Sequence, residues 1–433
     1  MIKPVPSSEK FTAGTHIPYW IDSVKPLAFS KLSLNKEVDV VIIGGGIAGV
    51  TIAYCLSKAG KTVALVEDGF IGSGETGRTT AHLVTALDER YYEIEKMYGV
   101  EKAKLIAQSH AKAIDFIEGT IKALHIDCDF ERLDGYLFLH PTDEVSTLKK
   151  EIETATSAGL EVQLVNEVPG IKNIYQGIRF PNQAKFHPLK YVKALCEYIE
   201  KNDGSIYTNT HAKEITEKGI VTDEGYEIKA EHIVVATNTP VNNRIAMHLK
   251  QYPYRTYVVA AKIKKDVLPD ALWWDTGDFS VNSSNPPYHY IRKQNLNSEH
   301  DLLIVGGEDH ATGLSEAENI SEEGRYAALE KWMKEHFPEA EIPIYKWSGQ
   351  IMYPMDSLAY IGHNPFDKDN VYIVTGDAGN GMTYGTIAGK LITDLITGKE
   401  NKLEKIYAPS RMKLFSAGKV FLKEFVGGLI NYM

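Results

Sequence analysis

The stretch from residue 38 to 67, VDVVIIGGGIAGVTIAYCLSKAGKTVALVE, constrains this chain more than any other. It reads as an apolar strand from Val38 to Ile43, a glycine turn, and a helix with Ile47, Val50, Ala53, Tyr54 and Leu56 on its packing side. A second strand comes next and ends at Glu67. Strand-like runs flanking a helical spacing in so short a segment predict one βαβ unit. The glycines have separate tasks: Gly44 allows the tight turn, Gly46 lets backbone approach a pyrophosphate, and Gly49 lets the helix sit close on the strand. The diphosphate of a dinucleotide would face the free N–H groups where the helix opens at Ile47 and Ala48, and Glu67 would accept hydrogen bonds from ribose hydroxyls.

The segment after Glu67 narrows the dinucleotide. Asp68 to Thr85 (DGFIGSGETGRTTAHLVT) is a loop of glycine and small hydroxyl residues, where a simple NAD domain would run into another helix. Such a loop suits a chain that passes over a bound pyrophosphate and ribityl. Its residues Gly74, Thr76, Gly77, Arg78, Thr79, Thr80, Ala81 and His82 resemble the GSG-x-[ST]-GR segment of the D-amino-acid oxidase and glycine oxidase family, which binds FAD. The resemblance extends to residues 231–239 (EHIVVATNT), with Ala236, Thr237 and Asn238, and to 371–398, with Asp377, Gly379, Asn380, Gly381, Met382 and Thr383. It implies further cofactor contacts from Ala212 and Gly349. The helix beginning near Thr383 would turn its positive end toward the flavin C2 carbonyl and N1.

A narrower resemblance is carried by Thr79 to Leu83 (TTAHL), Pro287 to Arg292 (PYHYIR), Gly306 to His310 (GGEDH) and Trp347 to Gln350 (WSGQ). In this order they are similar to bacterial FAD oxidoreductases of the same family that often carry a C-terminal Rieske domain. This chain has no Cys-x-His and Cys-x-x-His pairs, so no iron–sulfur centre or other metal site is expected in it. Relatives that attach flavin through histidine place it where Thr79 stands, so the resemblance implies non-covalent FAD.

The expected fold is α/β: a Rossmann-like, glutathione-reductase-type FAD domain, interrupted by an antiparallel-sheet α+β substrate domain. The FAD domain is expected from 36–130, 181–250 and 346–410, the substrate domain from 131–180 and 251–345, and a helical tail from 411–433. Helices are expected over 88–124, 145–158 and 188–199, and antiparallel strands over 252–263, 286–292 and 301–307. In the tail, Phe421, Leu422, Phe425, Val426, Leu429 and Ile430 recur at helical spacing and form one apolar face, expected either to pack on the chain's own FAD domain or to receive an electron acceptor or partner chain, a second subunit or, weakly, a membrane surface. A net charge of −10 argues against nucleic acid as a partner. Three scattered cysteines, no signal-like start and no long apolar run lead to the expectation of a cytoplasmic protein without a membrane segment.

The chemistry is less specified. In the wider family an arginine in a Trp-x-Gly-x-Arg-Pro segment pairs with the substrate carboxylate; here Ile351 stands at that place. Arg292 could supply the charge instead, because Tyr288, Tyr290 and Arg292 share one face of a strand by period two. Arg292, Tyr290 and His82 are therefore the candidate catalytic residues, with His82 either tuning the flavin or accepting a substrate proton. The favoured reaction is oxidation of a C–N bond in an amine or amino acid. The alternatives are C–O oxidation of a hydroxy acid or polyol, and a non-turnover flavoprotein serving as redox sensor or electron-transfer subunit.

Overall fold

The computed structural model of the protein describes residues 16–411, apart from 173, 175, 240, 242–246, 248–249, 282–285, 313–319 and 366. The tail expectation for 411–433 falls outside the described residues except for Arg411, which is clamped by the Asp356 carboxylate at 2.7 and 2.8 Å and by the Ala359 carbonyl.

Strand Lys36–Ile43 lies at the centre of an eight-stranded sheet. It pairs in parallel with Glu227–Asn238 on one side and with Val63–Val66 on the other. The parallel set continues to Val371–Thr375 and to Ser205–Tyr207. Both faces of such a sheet are covered, which is why its strands read as continuous apolar runs. On one face, helices Ile47–Lys58, Pro188–Lys201, Val100–Leu124 and Gly381–Ile396 pack in a single core with Val40, Ile42 and Leu65. The other face buries Val41, Ile43, Ala64 and Val66.

A nine-stranded sheet runs in the order Pro343–Pro354, Gln251–Lys264, His300–Ala311, Tyr290–Asn295, Ala271–Asp275, Glu131–Phe138, Gly177–Lys185, His82–Leu83, with Gln163–Val165 on the side. It is antiparallel except where Ala271–Asp275 meets Glu131–Phe138 in parallel. Helix Glu322–His336 covers one face through Tyr326, Leu329 and Met333, against Tyr257, Val259 and Trp273.

Sheet membership departs from the expected boundaries at three places. Pro343–Pro354 pairs along Gln251–Lys264 through the register Thr256↔Gly349, so the second sheet continues past 345. Gly177–Lys185 carries it past 180, and within 36–130 the pair His82–Leu83 joins it through His82↔Lys185. The helix expected over 88–124 is two helices, Tyr91–Tyr98 and Val100–Leu124. Gly99, at φ +79°, ends the first and starts the second, a conformation glycine adopts without steric cost.

Candidate active site

The site begins at the glycine turn. Gly44 has φ +110°, and a Cβ there would lie 2.3 Å from the Ala236 carbonyl oxygen; one on Gly49 would lie 2.0 Å from the Gly44 carbonyl oxygen. Both neighbours are backbone, so neither can step aside. Helix Ile47–Lys58 therefore sits hard on its strand, and its N-cap, Gly46, has no side chain to satisfy the first N–H groups. Ile47 N–H donates to Thr76 Oγ1 at 2.9 Å. The Glu67 carboxylate accepts from the Gly45 and Gly69 N–H groups at 2.6 and 2.8 Å, which fixes its orientation.

One cavity of about 410 Å³ joins this turn to the underside of the second sheet. Its walls include Gly44, Gly46, Ile47, Ala48, Glu67 and Asp68 at the βαβ unit, and Gly74, Thr76, Arg78, Thr79, Thr80 and His82 from the loop. Ala212, Ala236, Thr237, Asn238, Gly349 and the run Asp377, Gly379, Asn380, Gly381, Met382, Thr383 also line it. Three expected contacts do not. Gly49 and Gly77 are packing positions, the latter because a Cβ would meet the Gly72 carbonyl oxygen at 2.4 Å, and Ala81 is fully buried behind the wall at φ +58°. Helix Gly381–Ile396 also starts at the cavity without a side-chain cap, so two helix N-termini face the same space.

The roof is aromatic: Trp274, Tyr288 and Tyr290, with Thr256, Val258 and Ile351. Tyr290 lines the cavity as expected, and its hydroxyl makes a short hydrogen bond with Thr256.

Arg292 does not reach the cavity. It is fully buried, and its Nη1 donates to the carbonyls of Thr80, Ala81 and Phe186 at 3.2, 2.9 and 3.1 Å. Nη2 donates to the Gln294 side chain, and the guanidinium lies 5.3 Å from the Trp20 ring. Burial lowers its pKa, against which Asp129 acts first. The fork is committed to the loop that Trp20 also holds, through Nε1 to the Thr79 carbonyl at 2.6 Å. Arg292 is a clamp on the cavity wall and not a charge facing a substrate.

His82 does face the cavity, but both ring nitrogens are engaged. Nε2 lies 3.2 Å from the Ile291 carbonyl, which can only accept, so Nε2 carries the proton and Nδ1 accepts from Thr80 Oγ1 at 3.0 Å. Burial, then the Arg292 charge, pushes its pKa down to about 3. A neutral ring with both nitrogens occupied cannot take up a substrate proton, so His82 is not the base that its place in the loop suggested.

Asp88 and Glu75, which sequence patterning did not single out, also line this space. Asp88 Oδ1 accepts from Asn380 Nδ2 at 2.8 Å, and Glu75 Oε2 from Gln350 N–H at 2.7 Å. Burial raises the Asp88 carboxyl to about 6 and that of Glu75 to about 7. The Asp377 carboxyl also rises to about 7, through burial and then the charges of Glu75 and Asp88.

A parallel sheet with an uncapped glycine turn, an antiparallel roof and a cavity between them define a dinucleotide-dependent oxidoreductase architecture. Residues 39–395 match the family described as DAO, FAD dependent oxidoreductase, and the chain belongs to that family. It is 33% identical over 413 residues to the putative Rieske 2Fe-2S iron-sulfur protein YhfW of Bacillus subtilis, covering 94% of this chain and 78% of that one. It is 24% identical to the gamma-glutamylputrescine oxidoreductase of Escherichia coli, covering 91% of each. In fold it is similar to glycine oxidase from Geobacillus kaustophilus, with a TM-score of 0.72 at 18% identity over 87% of this chain and all of that one.

The cofactor of the family is FAD, and the residues present fit it. The two uncapped helix starts suit an anionic group and an electron-rich ring, and Asp377 Oδ1 is buried without a partner, an acceptor that a ribityl hydroxyl would satisfy. Among the described residues, no helix is long and apolar enough to cross a membrane.

Proposed function

We propose that the protein oxidises a C–N bond of a small amine or amino acid. FAD, when bound, would supply the hydride acceptor for this chemistry. The observation that carries this reading is the cavity end where Trp274, Tyr288, Tyr290, Val258 and Ile351 roof the Asp377 to Thr383 segment. Oxidation of an amine asks the protein to hold a carbon in place, exclude water and keep nitrogen unprotonated. It asks for no activated nucleophile, and the three cysteines are buried away from this wall. Tyr290, tied to Thr256, and Tyr288, 5.4 Å away between ring centroids, form a rigid face for the substrate. His82 holds the loop to the roof strand by its bond to the Ile291 carbonyl. The names of the relatives, a gamma-glutamylputrescine oxidoreductase and a glycine oxidase, support the same bond type.

Anaerobic mixing with panels of amines, amino acids and hydroxy acids tests the reading. Bleaching of the oxidised flavin by members of the first two panels is the expected result. Bleaching by hydroxy acids alone would refute it.

A further inference from the structure

We propose that the substrate is a cationic amine with no carboxylate on the carbon that is oxidised, and that Asp88 receives its ammonium group. This rests on the C–N reading and narrows it.

The first ground is the sign of the charges around the roof. Glu75, Asp88 and Asp377 line this end of the cavity. Among the described residues, the arginines on the wall are Arg78 and Arg90, whose terminal nitrogens lie on backbone carbonyls: Ser348 and His16 for the one, Leu87 and Asp275 for the other. His82 is neutral, with both ring nitrogens engaged. Ile351 puts an aliphatic chain on the wall, facing Tyr254 in the sheet register, and Arg292 is turned away beneath the loop. A substrate carboxylate would enter a dry space with carboxylates on its walls and, among the described residues, no guanidinium fork to meet it, which like charges in a low dielectric make strongly unfavourable. An ammonium entering the same space is attracted.

The second ground is the setting of Asp88 itself. The Asn380 amide holds Oδ1 at 2.8 Å, and the Tyr288 hydroxyl works against burial to hold the carboxyl's pKa down. Gly379, at φ +81°, brings backbone so close that a Cβ there would stand 1.9 Å from Oδ2. The carboxyl is thus held at Oδ1 by the neutral Asn380 amide, with no cation of the protein hydrogen-bonded to it among the described residues, though the Arg90 charge acts on it through space. Tyr288 and Tyr290, both on the cavity wall with ring centroids 5.4 Å apart, add aromatic surface to the same end.

The step assigned to Asp88 balances in charge and atoms. The substrate N–H bond breaks, an O–H bond forms on Asp88, and the ammonium and carboxylate become a neutral amine and a neutral carboxylic acid. A carboxyl raised toward 6 by burial is a better acceptor than an exposed one.

The test uses the FAD-loaded protein and two probes of similar shape that cannot be oxidised, benzyltrimethylammonium and benzoate, with binding read from the flavin difference spectrum. Expected is saturable binding of the cation and at least tenfold weaker binding of benzoate. Asp88→Asn should weaken the cation at least tenfold with flavin content unchanged. Should that variant fail to fold, Ile351→Arg, a change on the cavity wall that leaves Asp88 in place, should reverse the preference toward benzoate. Equal binding of the two probes by the wild type, or unaltered cation binding by Asp88→Asn, would overturn the proposal. Bleaching by α-amino acids in preference to carboxylate-free amines would overturn it and leave the C–N reading standing. Bleaching by hydroxy acids alone removes both.

Discussion

Replacing Arg292 with Met keeps the length of the side chain and removes its charge and donors. Three carbonyls, those of Thr80, Ala81 and Phe186, then stay buried with no donor, and the Gln294 side chain loses its partner. Each stranded group costs about 1–3 kcal/mol, and since one water could recover part of this we expect about 3–5 kcal/mol in all. Ala81 adds to the effect, because its φ of +58° is a conformation that a non-glycine residue keeps only when its surroundings hold it. At about 2 cal/mol/K of unfolding entropy per residue, a chain of 433 residues loses stability at close to 1 kcal/mol per degree. The apoprotein melting temperature should fall by about 3–5 °C, read by circular dichroism. The freed segment lines the cavity through Thr79, Thr80 and His82, so re-ordering it on binding at a cost of about 3 kcal/mol should weaken FAD roughly 100-fold. Flavin retained after dialysis measures that. A variant that melts with the wild type, keeps its flavin and loses only turnover would refute the clamp and return Arg292 to the substrate.

Gly49→Ala should lower stability by about 2–3 kcal/mol and displace the helix start, because its Cβ would overlap a backbone oxygen, whereas Gly119→Ala, with open space around it on an exposed helical turn, should stabilise by about 0.5–1 kcal/mol; urea midpoints of the two variants make the comparison. Gly46→Val should give colourless protein, since its branches enter a space already tight against Thr76 Oγ1; a yellow variant would show that the pyrophosphate lies elsewhere. Acid precipitation should release the flavin intact into the supernatant, because both His82 nitrogens are committed and the cysteines are remote; flavin that stays with the pellet would contradict this. His289 is buried, which works against its charge, but Asp275 at 2.8 Å and Glu308 outweigh burial and raise its pKa to about 9. A folded-state pKa above the unfolded value of about 6.5 gives stability that is full below 6.5 and is lost as pH rises through 9. His289→Gln should flatten the loss of stability across that window, and an unchanged pH profile would count against the pair.

The βαβ unit was legible because its information is local: the turn, the close helix and the acidic strand end all lie within 30 residues, and the backbone collisions at Gly44 and Gly49 are what the glycines prevent. The strands of the second sheet were legible by alternation, and so was the shared face of Tyr290 and Arg292. Alternation gives a face but not how far along it the cavity extends. Two residues of strand span about 6.5 Å, and within that distance the wall formed by Thr80 and Ala81 closes over Arg292. Trp273 and Trp274 point to opposite sides, one into the outer core and one onto the cavity, and either could have been the core residue from sequence alone. Asp88 had no local signature, since its meaning comes from Asn380, 292 positions away.

The pairing of His82 and Leu83 with Lys185 and Ala184 makes the loop that lines the cofactor cavity also the edge strand of the other sheet. Ligand occupancy and the folding of that sheet are therefore linked by mass action: at a free FAD concentration about 1,000 times its dissociation constant, the native state gains about 4 kcal/mol. The benefit is not confined to the nucleotide layer, because the ordered segment carries it across the Lys185 strand toward the roof. A cell short of flavin would then hold not an intact but empty enzyme, but a chain whose second sheet opens from its edge, and proteolysis would remove it from that side first.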